Sequence, residues 1–319
     1  VSFKAAIAQI NPRLGDLRAN LELHEAEIRR AVKEKADLVL FPELSLTGYF
    51  LRDVVPTVAL KLSSKEIGRL KALSRDVAFV VGLVEESPDY RFYNSAVYFD
   101  GGEIRHVHRK VYLPTYGMFD EQRYFARGDR VRAFDTKFGR FALLICEDLW
   151  HCSAVYLAAL DGAAAILAPS ASPLRGFRAD QTQDDNARYW EMINRTYAES
   201  FGLFLIYGNR FGFEDGVGFW GGSEIIDPFG KRIVKAKYYE GDFIVGDVLL
   251  AAARRKRISA PLLRDEDLDL TINELIRIRG RPERRSARSS PPAGKNETSR
   301  AAGRRGKGKS LTRRKSRGR

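Results

Sequence analysis

The chain has 319 residues, 44% hydrophobic and 11% aromatic, enough for one sizeable core or two small ones. No run of about 18 apolar residues occurs, which argues against a membrane span, and two cysteines, Cys146 and Cys152, are too few for a disulfide framework, so a reducing cytoplasm is the expected setting. The net charge of +13 is confined to residues 280–319, which hold 15 Lys/Arg and 2 Asp/Glu, so the preceding 279 residues are electrically balanced. VSFKAAIAQINP lacks the charged-then-apolar pattern of a secretory signal, and its residues 3–10 read as a strand. Helical spacing follows over 16–35, with Leu17, Leu21, Ile28 and Val32 apolar and Asp16 as N-cap. ADLVLFPE (36–43) is a short buried strand, 63–75 a helix capped by Ser63 or Ser64, and AFVVGLVEE (78–86) a second buried strand. FYNSAVYFDGGEIRHVH (92–108) predicts a hairpin turning at Asp100-Gly101-Gly102.

Downstream, FALLICE predicts a strand, 153–160 a helix, AAAILAPS (163–170) a strand and 180–201 a long helix. GLFLIYGN (202–209) is a strand, 221–236 a hairpin turning at 227–230, 242–248 a last strand, and 266–279 helical. Strands buried on both faces alternate with helices and are interrupted by hairpins. That pattern predicts a layered α/β sandwich with one catalytic rim rather than a purely parallel doubly wound sheet. Residues 280–319 are rich in Gly, Ser, Pro and Arg with almost no large apolar residue, so they are expected to be a disordered tail.

The stretch FALLICEDLW (141–150) delivers a cysteine at the end of an apolar strand, followed at once by Glu147 and Asp148. Acids and apolar surroundings both disfavour a thiolate, so Cys146 is either an inert core thiol or a nucleophile balanced from elsewhere. A nucleophile needs a base and a cation. LFPELSLTGY (40–49) offers Glu43 at the C-terminal edge of a buried strand, where α/β sheets commonly carry active sites. RKVYLPTYGMFDEQRYF (109–125) offers Lys110. Taken singly, each is more simply a solvated surface side chain.

Together, the blocks FPELSLTGY, RKVYLPTYGMFDEQRYF and ICEDLW resemble those of the nitrilase superfamily of carbon–nitrogen hydrolases, over about residues 3–250. Within it, LP, a Tyr-Gly pair and FDExRYF in the lysine block, with Glu-Asp after the cysteine, resemble the glutaminase domains of glutamine-dependent NAD synthetases. The resemblance implies a four-layer αββα sandwich over residues 1–279 and a homodimer or higher homo-oligomer. It implies Glu43 as general base, Lys110 as the cation that stabilises the oxyanion, Cys146 as nucleophile and Glu121 as an additional glutamate beside the lysine. Tyr49 and Tyr116 would shape the substrate cleft, the Glu147 backbone N–H would be an oxyanion donor, and Ser172 and Arg178 would contact an amino-acid head group. The implied reaction is cleavage of a small, glutamine-like ω-amide through a cysteine thioester, releasing ammonia with no cofactor and no metal.

No SGGxDS-type ATP-pyrophosphate loop occurs in these 319 residues. The expectation is therefore a stand-alone amidase or a separate subunit feeding ammonia to a synthetase-type partner. A nitrilase or N-carbamoyl hydrolase, and a non-catalytic scaffold, are the rival readings. GVGFWG (216–221) fits GxGxxG but precedes a strand, so its glycines are expected to serve a turn or close packing rather than a dinucleotide. His106 and His108 share a strand face without metal-ligand partners at suitable spacing and are expected to be a surface or interface pair. His151 is expected beyond direct contact with substrate at most, and Cys152 to be structural. The tail could bind nucleic acid through 281–319, but no aromatic residue interleaves with its charges, so a solubilising role is the preferred expectation.

Overall fold

Two apolar strand sets, each with one face for a helix layer and one for the other set, decide the architecture. The computed structural model describes residues 1–175 and 184–281. In chain order the elements are β1 (Ser2–Gln9), α1 (Leu17–Lys33), β2 (Leu38–Leu40), α2 (Val55–Val58), α3 (Lys65–Leu73), β3 (Ala78–Glu86), β4 (Phe92–Asp100) and β5 (Glu103–Arg109). Then come α4 (Glu121–Tyr124), β6 (Ala133–Asp135), β7 (Arg140–Leu143), α5 (Cys152–Leu160), β8 (Ala165–Ser170), α6 (Asp185–Phe201) and β9 (Phe204–Asn209). The rest are β10 (Phe211–Glu214), β11 (Val217–Trp220), β12 (Glu224–Ile226), β13 (Arg232–Lys235), β14 (Asp242–Leu249), α7 (Ala251–Ser259) and α8 (Leu268–Arg279).

Six strands form one sheet in the order β14-β1-β2-β3-β4-β5, and six form another in the order β13-β12-β9-β8-β7-β6. Each has a parallel centre, β1-β2-β3 and β7-β8-β9, with antiparallel flanks. Alternate residues along each strand point to opposite faces. Ala5, Ile7, Leu40, Val80 and Tyr98 of the first sheet therefore meet Phe141, Leu143, Leu167, Ile206 and Ile225 of the second in a central apolar layer. The other face of the first sheet, through Val39, Phe79 and Val97, packs on Leu21, Ile28, Ile67 and Leu70 of α1 and α3. The second sheet's outer face, through Ile166, Leu205 and Tyr207, packs on Val155, Ala158, Trp190 and Ile193 of α5 and α6. These are the four layers of an αββα sandwich, as expected.

Asp16 caps α1 by accepting from Ala19 N (3.0 Å), and Ser64 caps α3. β2 and β7 are shorter than their apolar runs. Pro42 cannot donate to a ladder, and beyond Leu144 the chain leaves the sheet for a 3₁₀ turn, Cys146–Trp150. The hairpin β10–β11 and helix α7 were not anticipated. The first contains part of the GxGxxG match, with its turn at Asp215-Gly216, both at positive φ. The second buries only Ala252 and Ala253, so it carries no apolar stripe. Gly82 in β3 lets the loop after β2 approach closely: a Cβ there would lie 2.4 Å from Leu44 N and 2.6 Å from Pro42 O. The chain divides into a compact unit, Val1–Glu266, and a second unit from Asp267, in which α8 is capped by Asp267. The expected start of the long helix at 180–183, and the tail from 282, lie outside the described residues.

His24 on α1 is fully buried, with Nδ1 2.6 Å from Asn20 O and Nε2 2.9 Å from Ser45 Oγ. Burial pushes its imidazole down from 6.5 to about 4. The unfolded chain then binds a proton there that the folded one does not, so the contribution of His24 to stability is full above pH 6.5 and falls as pH drops towards 4. The expected loss from His24 is about 3 kcal/mol, read as the difference in urea denaturation between wild type and His24→Gln from pH 7 to 4, in which the contributions of His106 and Glu121 cancel. The slope flattens in His24→Gln; an unchanged slope would contradict the assignment.

Candidate active site

The site forms at the C-terminal rim of the parallel strands, where loops leave both sheets. Glu43 follows β2, Lys110 follows β5, Glu121 opens α4, and Cys146 follows β7. Lys110 Nζ donates to Glu43 Oε1 at 2.7 Å and to Glu121 Oε1 at 2.6 Å. The lysine and Glu43 side chains are wholly buried, and that of Glu121 is 4% exposed. Glu43 also accepts from Asn94 Nδ2 (2.7 Å) and, through Oε2, from Ala171 N (2.8 Å). Tyr49 OH donates to Glu121 Oε1. Glu43, Tyr49, Lys110 and Glu121, far apart in the chain, are thus joined by direct bonds.

One ammonium faces two buried carboxylates. Burial opposes the charge on Lys110, but Glu121, Glu43 and Cys146 outweigh it and hold its pKa well above the ordinary value. Glu121 is pushed up to about 7, first by burial and further by Glu43, against the pull of Lys110. The Cys146 thiol is pushed well above its ordinary range by burial and then by Glu43, with Lys110 opposing and Glu147 and Glu121 adding to the rise. A thiol raised in this way would need a base to act as a nucleophile. Cys146 has a left-handed backbone (φ 44°), rare for a residue with a Cβ, and is half-buried rather than sealed in the core.

Glu147 is mostly buried and accepts from Tyr116 OH at 3.0 and 3.1 Å. Both lie, with His151, along a cavity of about 490 Å³. A second cavity, of about 250 Å³, is lined by Tyr49, Phe119 and Glu121. Ser172 is buried; its N donates to Asn209 Oδ1 (2.8 Å) and its hydroxyl accepts from Asn186 Nδ2 (2.9 Å). Arg178 lies outside the described residues.

Two expectations are corrected. His106 and His108 are not a surface pair: His106 stacks on Phe134 with ring centroids 4.1 Å apart, and His108 is buried against Asp148. They share one face of β5, opposite Tyr98 and Ala96, and both line one cavity, so only the expected exposure is overturned. Cys152 is exposed at the start of α5 rather than part of the core. His151 stacks on Tyr112 and lies 3.9 Å from Glu147.

Several site residues went unread in the sequence. Asn94 is a buried polar residue in a largely apolar strand, an inconsistency that often marks function. Arg175 places its guanidinium 5.7 Å from the Tyr116 ring centroid and 5.6 Å from that of Phe119. Glu214, ion-paired to buried Arg210, accepts from Tyr49 N (2.7 Å) and Phe50 N (2.6 Å) and so fixes the Tyr49 backbone.

A family model described as carbon-nitrogen hydrolase matches residues 4–258. Among curated relatives, a glutamine-dependent NAD(+) synthetase of Acinetobacter baylyi is 31% identical over 82% of this chain and 47% of its own length. The chain thus spans about half the length of that relative. Among solved structures, a carbon-nitrogen hydrolase from Helicobacter pylori superimposes with a TM-score of 0.76 at 27% identity, covering 86% of this chain and 99% of that one. A variant of the amidase from Nesterenkonia sp. AN1 has a TM-score of 0.71 at 27% identity, over 85% of this chain and 96% of that chain. It shows covalent addition of the acetamide moiety of fluoroacetamide at its active site cysteine.

Proposed function

The chain belongs to the carbon–nitrogen hydrolase family, and from that premise we propose that it cleaves a small, glutamine-like ω-amide through a thioester on Cys146. The observation that carries the reading is the buried Lys110 ammonium bonded to both Glu43 and Glu121 beside the cysteine.

In the proposed reaction, Glu43 takes the Sγ proton as sulfur attacks the amide carbon, because the resting thiol is held protonated. The carbonyl oxygen becomes an oxyanion facing Lys110 and the Glu147 N–H, donors worth about 3–4 kcal/mol each in such sites. The C–N bond breaks, the nitrogen takes the proton from Glu43, ammonia leaves, and the acyl group stays on sulfur. Water, deprotonated by Glu43 or Glu121, then attacks the thioester, and the departing sulfur recovers a proton. Tyr49 and Tyr116 shape the cleft, and Ser172 and Arg178 take the head group of the substrate.

The resemblance to glutamine-dependent NAD synthetases favours a further reading, in which the ammonia is passed to a synthetase-type partner. The proposed setting is the cytoplasm, where both cysteines stay reduced, and the proposed assembly is a homo-oligomer. Among the described residues no helix is long and apolar enough to cross a membrane.

The test is intact mass of the protein mixed with a panel of small amides, nitriles and N-carbamoyl compounds, with and without hydroxylamine. An acyl adduct mapped to Cys146, and a hydroxamate formed from an amide, are expected. A nitrile or carbamoyl compound as the sole substrate would move the protein to another branch. Neither adduct nor hydroxamate across the panel would favour a scaffold.

A further inference from the structure

We infer that Asp148, held by His108, is a positioning residue that locks the lysine-bearing segment and the cysteine-bearing turn to one another. The inference rests on the reading of Cys146 as the nucleophile. Asp148 is 0% exposed, and its carboxylate accepts four hydrogen bonds. Oδ1 takes the N–H groups of Val111 and Tyr112, both at 3.0 Å, the two residues after Lys110. Oδ2 takes Ile145 N at 3.0 Å, the residue before Cys146, and His108 Nε2 at 2.8 Å, two residues before Lys110. One buried group therefore grips both sides of the reacting centre.

The grip answers a physical need. The left-handed backbone of Cys146 persists only where its surroundings over-determine it. Asp148 closes that turn from both ends: its own N donates to Ile145 O (2.9 Å) while its carboxylate holds Ile145 N. Its charge also finds a use. Burial works against the ionised form, but His108 and the backbone N–H groups of Tyr112 and Ile145 outweigh burial and keep Asp148 below the ordinary carboxylate range. The acid that in sequence seemed only to burden the thiolate is thus committed to the scaffold. The charged groups facing the sulfur are Glu43, Lys110, Glu147 and Glu121, together with the hydroxyls of Tyr49, Tyr116 and Tyr207.

The experiment reads the thiol itself and needs no known substrate. In a Cys152→Ser background, which leaves Cys146 as the sole thiol, iodoacetamide alkylation is followed by mass against pH. Asp148→Asn is expected to slow Cys146 alkylation about 10- to 100-fold at pH 7.5 and to move the profile to higher pH, because Lys110 no longer sits where it offsets the thiolate. His108→Ala shifts the profile the same way, and His108→Gln, which keeps a donor for Oδ2, restores it. Thermal melts identify variants that do not fold; should Asp148→Asn be one, the His108 pair decides alone. Folded variants with the wild-type profile, or a Gln variant no better than Ala, would overturn the positioning role. A wild-type Cys146 that resists alkylation at every pH would instead sink the nucleophile reading, and this inference with it.

Discussion

Replacing Cys146 by alanine is expected to abolish ammonia release from every amide the protein accepts, a loss on the order of 10⁶-fold in kcat. The size follows from the role. Without sulfur no acyl group can be stored, and the Glu43 carboxylate, already engaged with Lys110, Asn94 and Ala171 N, has no proton to take from a nucleophile. Folding should survive, because Cys146 is half-buried and alanine occupies the left-handed backbone no worse than cysteine does. Cys152→Ser is the control: that side chain is exposed, and its loss should leave turnover within about twofold. Ammonia release is read by a coupled assay over the same panel. Turnover that persists in Cys146→Ala, in protein with a wild-type melt, would end the thioester proposal.

Lys110→Met is expected to damage stability and rate together. It leaves Glu43 and Glu121 buried beside one another with no cation, a situation that costs about 3–5 kcal/mol when one partner of a buried pair is removed. Tyr49 OH, Asn94 and Ala171 N still satisfy some of the oxygens, which keeps the effect short of complete unfolding. The pH dependence gives the sign. In the variant, loss of Lys110 lets burial and like-charge repulsion raise the folded-state carboxyl pKa further than in wild type, where Glu121 already lies at about 7 against about 4.3 unfolded. The folded form then binds more protons, so the deficit shrinks as pH falls from about 8 towards 5. Taken as variant minus wild type, the acid sensitivity from His24 cancels. Urea denaturation at several pH values gives the stability, and kcat should fall about 10²- to 10³-fold through the lost oxyanion donor. A variant as stable as wild type, with a pH-independent difference, would show that the lysine is not the counter-charge of this site.

How much of this was legible before folding depends on what kind of signal each residue left. The β3 run Ala78–Glu86 and the β4–β5 hairpin were read almost to the residue, since apolar runs and an Asp-Gly-Gly turn are local properties. Helix α7 was not, because AAARRKRIS has no apolar stripe and docks through two alanines. Glu43, Lys110, Glu121 and Cys146 were singled out through the blocks that carry them, not through their individual character. Asn94, Glu214 and Asp148 escaped because their neighbours in the chain do not reveal their partners in space.

By itself the sequence determined the alternation of strands and helices, the balanced charge of residues 1–279 and the residue types present for thiol chemistry, because hydrophobic period, turn chemistry and composition act over a few residues. Only the tertiary structure decided that a carboxylate and an ammonium 67 residues apart meet at 2.7 Å, that Asp148 bonds to the segments on either side of the site and that burial pushes the Cys146 thiol up. Those outcomes depend on which groups lose water together, and desolvation is set by packing between sheets rather than by any stretch of chain.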